Sequence, residues 1–298
     1  MNHEVRWERM FPDELERAFS DCPVVYFSYG LCEPHGPQNT LGCDSLRAHF
    51  ICCEAARQNG GIAAPVNYWH VHDLGDYASW GHEVIGQVDR RWLTSVPPWM
   101  FFKNLCYHVR SVEILGFRAA IFFSGHGGPH SRDFKRVIEL IQPHVGTRLA
   151  AVGNDDDHAE IDQDLRGWAD HAGKGETSGL WASEPACVDM SRMPEPDDPG
   201  PHFAMTPNAC EADRRQGERI IANKVRWLGQ RAEQLRAEYE RLLPQHTLRT
   251  YTDVERLWEK KIAPQIKTFA SMQDLSPGQK PVPEDSVWYP NWRVPEIG

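Results

Sequence analysis

Three side chains that can bind a divalent cation lie close together near the amino terminus. Glu33, His35 and Asp44 occupy the stretch 30–44, which directly follows the apolar run 24–27. Carboxylates and a neutral imidazole suit Zn, Mn or Fe(II), and a mixed set of nitrogen and oxygen ligands argues against a purely structural metal site. The stretch therefore predicts the metal site of a hydrolase.

Two later segments contain further candidate ligands. Residues 124–128 read Ser-Gly-His-Gly-Gly around His126, and residues 171–178 read His-Ala-Gly-Lys-Gly-Glu-Thr-Ser around Glu176. Each candidate also has a simpler interpretation. His126 could be incidental in a glycine-rich turn, and Glu176 could only complement a helix dipole. Asp44 could cap a helix, or it could bridge two cations with one oxygen on each.

The remaining histidines are less informative, with one exception. His70 and His72 are separated by one residue and form an alternative metal-binding pair. A nucleotide site is not favoured, because the glycine-rich segment 124–128 lacks the complete phosphate-binding motifs.

Apolar runs alternate with helical patterns in the first half of the chain, which predicts an α/β fold with a mostly parallel sheet and helices on both faces. Ligands bind beyond the carboxyl ends of such strands. Glu33 and His35 follow one predicted strand and His126 follows another, so we expect them to meet at one edge. The predicted strands are 24–28, 62–66, 118–124 and 147–152, and the predicted helices are 45–58, 99–115, 132–141 and 210–243.

The second half of the chain has a different character. Residues 155–160 form an acidic patch, and residues 193–207 are rich in proline and predicted to be a loop. We predict one domain over residues 1–243. Residues 244–298, rich in Pro, Trp and Lys, are predicted to be a C-terminal extension that forms an arm rather than a domain.

Composition excludes several classes of function. The formal net charge is −10, which argues against a nucleic-acid partner because phosphate contacts need a concentrated basic surface. No apolar run approaches the roughly 20 residues that span a bilayer. The amino terminus has no apolar signal region, so we expect a cytoplasmic protein. The eight cysteines include no Cys-x-x-Cys pair, which favours reduced thiols, with Cys32 and Cys43 as packing residues beside the site.

Taken together, the three motifs resemble the creatininase (creatinine amidohydrolase) family over about residues 20–235. The family's Glu-x-His-Gly-Pro run and the Gly-x-Asp after it match residues 33–37 and 42–44. Its Asn-Gly-His-Gly-Gly motif is similar to residues 124–128, and its His-(Ala/Gly)-Gly-x-x-Glu-Thr-Ser motif matches residues 171–178. Order and spacing both agree.

The resemblance implies a three-layer α/β domain, often assembled as a hexamer, that binds two divalent metal ions (Zn, Mn or Fe). By motif, Glu33, Asp44 and His126 would hold one ion. His35 and the bridging Asp44 would hold the second, with Glu176 as the extra carboxylate. His171 matches the family's proton-transferring histidine. The implied reaction is hydrolysis of a C–N bond in a small amide or cyclic amide by a metal-activated water.

The sequence also departs from the family pattern. Residues 38–40 read Gln-Asn-Thr where the family usually has His-Leu-Pro, and Ser124 replaces Asn. Members that hydrolyse creatinine carry a ligand Glu where this chain has Gly128, which argues against creatinine as the substrate. Two alternatives remain: a deformylase or peptidase of the same family, and a non-catalytic protein that binds a small molecule.

Overall fold

The structure is a computed structural model that describes residues 3–154, 162–165, 168, 170–195, 197–242 and 246–296. The acidic patch predicted at residues 155–160 lies entirely outside the described residues.

Four parallel strands form the main sheet in the order β2-β1-β5-β6. In the pairing of β1 with β5, Tyr29 lies opposite Ser124, so both strands end at the same edge. Two short parallel strands, β3 and β4, form a separate pair. The strands are β1 (Val24–Tyr29), β2 (Ile62–Ala63), β3 (His70–Val71), β4 (Ser95–Val96), β5 (Ala119–Ser124) and β6 (Arg148–Val152).

Helices cover both faces of this sheet. One face packs against α2 and α7, and the other packs against α4, α5 and the C-terminal segment. Alternate residues of β5 serve the two faces: Ile121 and Phe123 belong to the first core and Phe122 to the second. The helices are α1 (Pro12–Asp21), α2 (Cys43–Asn59), α3 (Asp76–Trp80), α4 (Pro98–Leu115), α5 (His130–Ile141), α6 (Lys174–Ser183), α7 (Arg214–Arg241) and α8 (Tyr251–Leu257). The predicted three-layer α/β class is confirmed.

Most predicted elements are present, with shifted ends. The second strand stops at Ala63 rather than residue 66, since Pro65 has no N–H to donate to a neighbouring strand. The long helix begins at Arg214 rather than residue 210, because the Asp213 side chain caps it by accepting from two backbone N–H groups. The segment 67–96, for which no element was predicted, contains β3, β4 and α3.

The C-terminal residues 246–296 pack closely on the rest of the molecule. Val254, Leu257 and Phe269 are buried in the core beside α4 and α5. Trp288 is fully buried in a smaller core that includes Ala78 of α3. Although this segment contains little regular helix and no strand among its described residues, it covers one face of the sheet. The domain boundary at residue 243 stays a prediction.

The described residues settle two smaller points. All eight cysteines lie within them and form no disulfide. None of the helices that they form has the length and apolar character needed to span a membrane.

Candidate metal centre

The loop after β1 carries two of the predicted ligands and leads into the third. Glu33 and His35 lie in this loop, and Asp44 is the second residue of α2. Gly30 allows the loop to pack on the helix, since a Cβ there would lie 2.5 Å from the backbone nitrogen of Ser45. The three side chains are consequently held against the start of α2.

His126 follows β5 at the same edge. The backbone N–H of Gly125 donates to the carbonyl of Tyr29 at 2.8 Å, which ties the ends of the two strands together. A Cβ at Gly125 would lie 2.3 Å from the carbonyl oxygen of Asp44. Only glycine permits this approach, and it places His126 beside Asp44.

Glu176 reaches the site from the first turn of α6. The carboxylate of Asp170 accepts from the backbone N–H groups of Gly175 and Glu176, which fixes this turn. Oε2 of Glu176 in turn accepts from the backbone N–H of Ala172 at 2.9 Å. The side chain therefore points back towards the loop after β1 rather than into solvent.

Two triplets of buried ligand atoms meet at Asp44. In the first, Nδ1 of His126 lies 2.9 Å from Oε1 of Glu33 and 3.2 Å from Oδ2 of Asp44. In the second, Nε2 of His35 lies 3.1 Å from Oδ1 of Asp44 and 3.3 Å from Oε2 of Glu176. The two oxygens of Asp44 thus belong to different triplets.

The hydrogen bonding of His35 leaves the appropriate nitrogen free. Its Nδ1 lies 3.0 Å from the carbonyl oxygen of Glu33. Since a carbonyl can only accept, Nδ1 carries a proton, and Nε2 faces the carboxylates of Asp44 and Glu176, which raise the pKa of His35 and which a cation bound to Nε2 would neutralise in place of the second proton. This is the arrangement that a histidine ligand requires.

The charges in the cluster shift its pKa values strongly. Burial would raise the pKa of Glu33, but the neighbouring charge of His126 holds it well below its ordinary value. Burial would lower the pKa of His126, but Glu33 and Asp44 raise it to about 10. Positive charge among these carboxylates is therefore stabilised, and either protons on the histidines or a metal cation can supply it.

Several atoms of the cluster have no hydrogen-bond partner among the described residues, although they are buried. They are both carboxylate oxygens of Glu33, Oδ2 of Asp44, and the Nε2 atoms of His35, His72 and His126. Unsatisfied buried polar atoms are rare, and a missing ion is one of their ordinary explanations. Nitrogen and oxygen donors that converge in this way fit Zn, Mn or Fe(II).

Cys43 lies beside the second triplet, and its thiol is protonated as long as no cation binds it. Burial raises the pKa of its thiol to about 12, so the sulfur stays protonated near neutral pH. A thiol binds metal as the thiolate. The prediction of a packing role for Cys43 agrees with this environment.

His171 lies against the second triplet. Its ring centroid is 4.5 Å from that of His35 and 4.8 Å from that of Trp80, and its Nε2 lies 3.1 Å from the carbonyl oxygen of Pro34. Burial and the charge of His35 lower the pKa of His171. The imidazole is therefore neutral near pH 7, with Nδ1 available to accept a proton.

Two of the simpler interpretations are wrong. Asp44 does not cap α2, because the residue at the cap is Gly42 and Asp44 lies inside the first turn. His70 and His72 do not form a shared metal pair. Nε2 of His70 faces the hydroxyl of Ser124 at 3.2 Å, whereas Nε2 of His72 lies 3.0 Å from Oε2 of Glu33.

Sequence reasoning missed the role of His72 and of Arg47. His72, without His70, contacts the cluster through Glu33. The backbone N–H of Asp73 donates to Nδ1 of His72 at 2.7 Å and so orients the ring. The side chain of Arg47 is buried and donates to Oε1 of Glu176 at 2.7 Å. Its signal was available, since Arg47 lies three residues after Asp44 on one helix and such residues are neighbours.

Gly128 cannot be replaced by a larger residue without a rearrangement. Its φ is +120°, a conformation that favours glycine, and a Cβ would lie 2.8 Å from the hydroxyl oxygen of Tyr77. Tyr77 thus occupies the space beside His126 that a side chain at 128 would need.

A cavity of about 270 Å³ opens onto the cluster. Its size suits a small molecule. Its lining combines carboxylates, imidazoles and two aromatic rings with two residues from the C-terminal segment. The lining residues are Glu33, His72, Asp76, Tyr77, Trp80, His126, Gly127, Gly128, Pro129, Asn154, Asp170, His171, Glu176, Ser276 and Gln279.

The fold is shared with solved creatininase structures. A provisionally assigned creatinine amidohydrolase from Bacteroides fragilis is 20% identical with a TM-score of 0.60, and the match covers 79% of this chain and 98% of that one. A manganese form of creatininase is 20% identical with a TM-score of 0.59, covering 80% and 99%. A mutant creatininase of the Zn–Zn type is 21% identical with a TM-score of 0.58, covering 80% and 99%.

No curated protein matches the sequence significantly. The family model for creatininase, described as creatinine amidohydrolase, matches residues 8–233, which is most of the chain and includes all three motifs. The chain therefore belongs to the creatininase family.

Proposed function

We propose that this chain is a two-metal amidohydrolase that cleaves a C–N bond in a small amide or cyclic amide. The observation that carries the proposal is the position of Asp44, whose two oxygens each join a separate triplet of converging donor atoms. A single carboxylate shared in this way is common in two-metal hydrolases. A protein that only binds an organic molecule has no need for such an arrangement.

The ligand sets follow from the triplets. Glu33, Asp44 and His126 would hold one cation, and His35, Asp44 and Glu176 would hold the other. When bound, such cations act as Lewis acids on a carbonyl oxygen and lower the pKa of water towards neutrality. Arg47 and Asn154 hold the second oxygen of Glu176, at 2.7 and 3.2 Å, and so keep Oε2 directed at His35.

His171 is the proposed proton-transfer residue. The carbonyl of Pro34 keeps the proton on Nε2, which leaves Nδ1 to accept a proton and pass it to the leaving nitrogen. The lowered pKa keeps the imidazole neutral and ready to act as a base near pH 7. Trp80 packs edge-on against the ring and limits its rotation.

The substrate is proposed to differ from creatinine. The position at which creatinine-hydrolysing relatives carry a further carboxylate ligand is Gly128, and Tyr77 fills the adjoining space. We therefore expect a different small amide or a formamide. We also propose a cytoplasmic location and, from the family resemblance, assembly as a homo-oligomer.

The decisive test combines metal analysis with substrate screening. Elemental analysis of the purified wild type should find two Zn, Mn or Fe ions per chain. The screen should contain primary amides, cyclic amides, formamides and short peptides. Wild-type protein that binds no metal after incubation with each of these ions would overturn the proposal.

The His171→Ala variant tests the proton-transfer role. It should keep the wild-type metal content and lose kcat by about 10²- to 10⁴-fold, the usual contribution of a positioned acid–base group. His202→Ala, whose ring contacts the carbonyl of Asp198 outside the cavity, is the matched control and should keep kcat. An unchanged kcat in His171→Ala would remove the assigned role.

A further inference from the structure

The cavity is completed by a part of the chain that lies beyond the family match. Ser276 and Gln279 line it, whereas the creatininase model ends at residue 233. The solved relatives are themselves covered over 98–99% of their length while about a fifth of this chain is left over. This part of the cavity wall therefore lies outside the family match.

The C-terminal segment is anchored firmly at the cavity. The backbone N–H of Asp76 donates to the carbonyl of Gln273 at 3.1 Å, and Ser79 donates to the carbonyl of Lys280 at 2.7 Å. Gly75 permits this contact, because a Cβ there would lie 2.1 Å from the same carbonyl oxygen of Gln273. The wall is thus fixed to α3 on both sides of Ser276.

Asp76 is the carboxylate to which this wall is attached. The hydroxyl of Ser276 donates to its Oδ2 at 2.8 Å, and Nε2 of Gln279 donates to its backbone carbonyl at 3.1 Å. Asp76 is only 2% exposed and lines the cavity. Among the described residues, Oδ1 has no hydrogen-bond partner. One oxygen is therefore held in place while the other is unused.

A cationic ligand in the cavity would supply a partner for Oδ1. No Lys or Arg is among the described residues that line the cavity. Burial raises the pKa of Asp76, so a positive charge bound beside it would stabilise the carboxylate. The rings of Tyr77 and Trp80 line the same cavity, and aromatic faces also attract cations.

We propose that Asp76, oriented by Ser276 of the C-terminal segment, recognises a cationic N–H group on the substrate, such as an ammonium or guanidinium. The substrate class is then a small amide that carries a positive charge. This inference deepens the proposed hydrolase function and rests on it for the group that reacts. The carboxylate recognises the charged end, while the metal ligands and His171 act on the amide.

Binding is tested without turnover by saturation-transfer NMR of methylguanidinium chloride on the zinc-loaded full-length protein. Asp76→Asn keeps the size of the side chain and should weaken binding about 10- to 100-fold, the effect of losing a hydrogen bond between charged groups. Ser276→Ala should weaken it by a smaller factor. Ser286→Ala, in the same segment but outside the cavity lining, is the matched control and should bind as the wild type does.

Kinetics with glycinamide and acetamide provide the second measurement, because these amides differ by the ammonium group. The wild type should prefer glycinamide in kcat/KM, and Asp76→Asn should lose that preference with unchanged metal content. No binding of methylguanidinium by the wild type, or equal binding by Asp76→Asn, would overturn the inference whether or not either amide is cleaved. Metal content of the wild type is measured separately and judges only the proposed function.

Discussion

Glu33 and Glu113 are both buried glutamates with a histidine beside them, but their carboxylates are used in different ways. Oε2 of Glu113 accepts from the backbone N–H groups of Gly146 and Thr147 and from the Thr147 hydroxyl, each at 3.0 Å, and its Oε1 pairs with His246. Both oxygens of Glu33 lack a hydrogen-bond partner among the described residues.

The difference separates a structural carboxylate from a ligand. The protein itself compensates the charge of Glu113, which joins α4 to the turn before β6 and to the start of the C-terminal segment. Glu33 is close to His126 and His72 without being satisfied by either of them. In the metal-free protein the charge of protonated His126 offsets that of Glu33, and a bound cation would take over this role.

Glu33→Gln should have the largest effect of the substitutions that test this contrast. The amide keeps the size of the side chain but removes the charge from the first triplet, so we expect loss of the cation there and of amide hydrolysis. The wild-type protein should lose thermal stability when EDTA removes its metals, by about 4 kcal/mol if the free metal had been at 1,000 times its Kd. In Glu33→Gln, EDTA should remove much less of the free energy of unfolding than it does in the wild type.

Elemental analysis and thermal unfolding with and without EDTA provide the measurements. Glu113→Gln, which makes the same chemical change at the satisfied carboxylate, is the matched control and should keep its metals. A Glu33→Gln protein with wild-type metal content would show that Glu33 is not a ligand.

Glu113→Gln should have the second-largest effect, on stability alone. It replaces hydrogen bonds to a charged acceptor by hydrogen bonds to a neutral one and turns an NH₂ group towards His246. We expect the free energy of unfolding to fall by about 1–3 kcal/mol. Urea denaturation should give the same loss in the presence and absence of EDTA, and a loss that EDTA abolishes would contradict the structural role.

Some of the residues around Glu33 could be predicted from the sequence more easily than others. Strand–helix alternation was sufficient to predict that β1 and β5 end at one edge, and the three motifs then placed Glu33, His35 and His126 there. His72 was harder to identify, because its neighbour His70 offers the same chemistry and only the local backbone decides which ring reaches Glu33.

The wall around Asp76 could not be predicted from the sequence at all. Ser276 lies 200 residues from Asp76 along the chain, and neither residue belongs to a motif. The C-terminal segment is held by short turns and by scattered contacts such as that of Trp288 with the backbone of Gly86. Such irregular structure has no periodicity from which its path could be predicted.

Arg47→Lys should have an intermediate effect, confined to the second triplet. Lysine keeps the charge but cannot reproduce the planar guanidinium that reaches both Glu176 and the carbonyl of Gly125. We expect a 10- to 100-fold loss of affinity for one of the two ions, about the cost of removing an outer partner of a metal ligand.

Stepwise removal of metal with a weak chelator, followed by elemental analysis, should show one retained ion per chain where the wild type retains two. Arg57→Lys, on the same helix but paired with Glu54 away from the site, is the control and should release its metals as the wild type does. Equal release by Arg47→Lys and Arg57→Lys would contradict the positioning role.

The smallest expected effect concerns two histidines in opposite environments, His126 and His108. His126 is surrounded by carboxylates, whereas Nδ1 of His108 lies 2.7 Å from the buried hydroxyl of Tyr29 and its ring stacks on Phe27. Burial lowers the pKa of His108 to about 4. The unfolded chain, with an ordinary histidine pKa near 6.5, therefore takes up this proton first as the pH falls.

The stability due to neutral His108 is complete above about pH 6.5 and is lost as the pH falls towards 4, at a rate of about 1.4 kcal/mol per pH unit. His108→Asn keeps a polar side chain that can donate to or accept from the Tyr29 hydroxyl, but it cannot titrate. Urea denaturation of the metal-free proteins between pH 7 and pH 4.5 should therefore show a shallower loss of stability for this variant than for the wild type. Exposed His3→Asn should retain the wild-type slope, and parallel curves for His108→Asn and the wild type would mean that the interior tolerates the His108 cation as it tolerates that of His126.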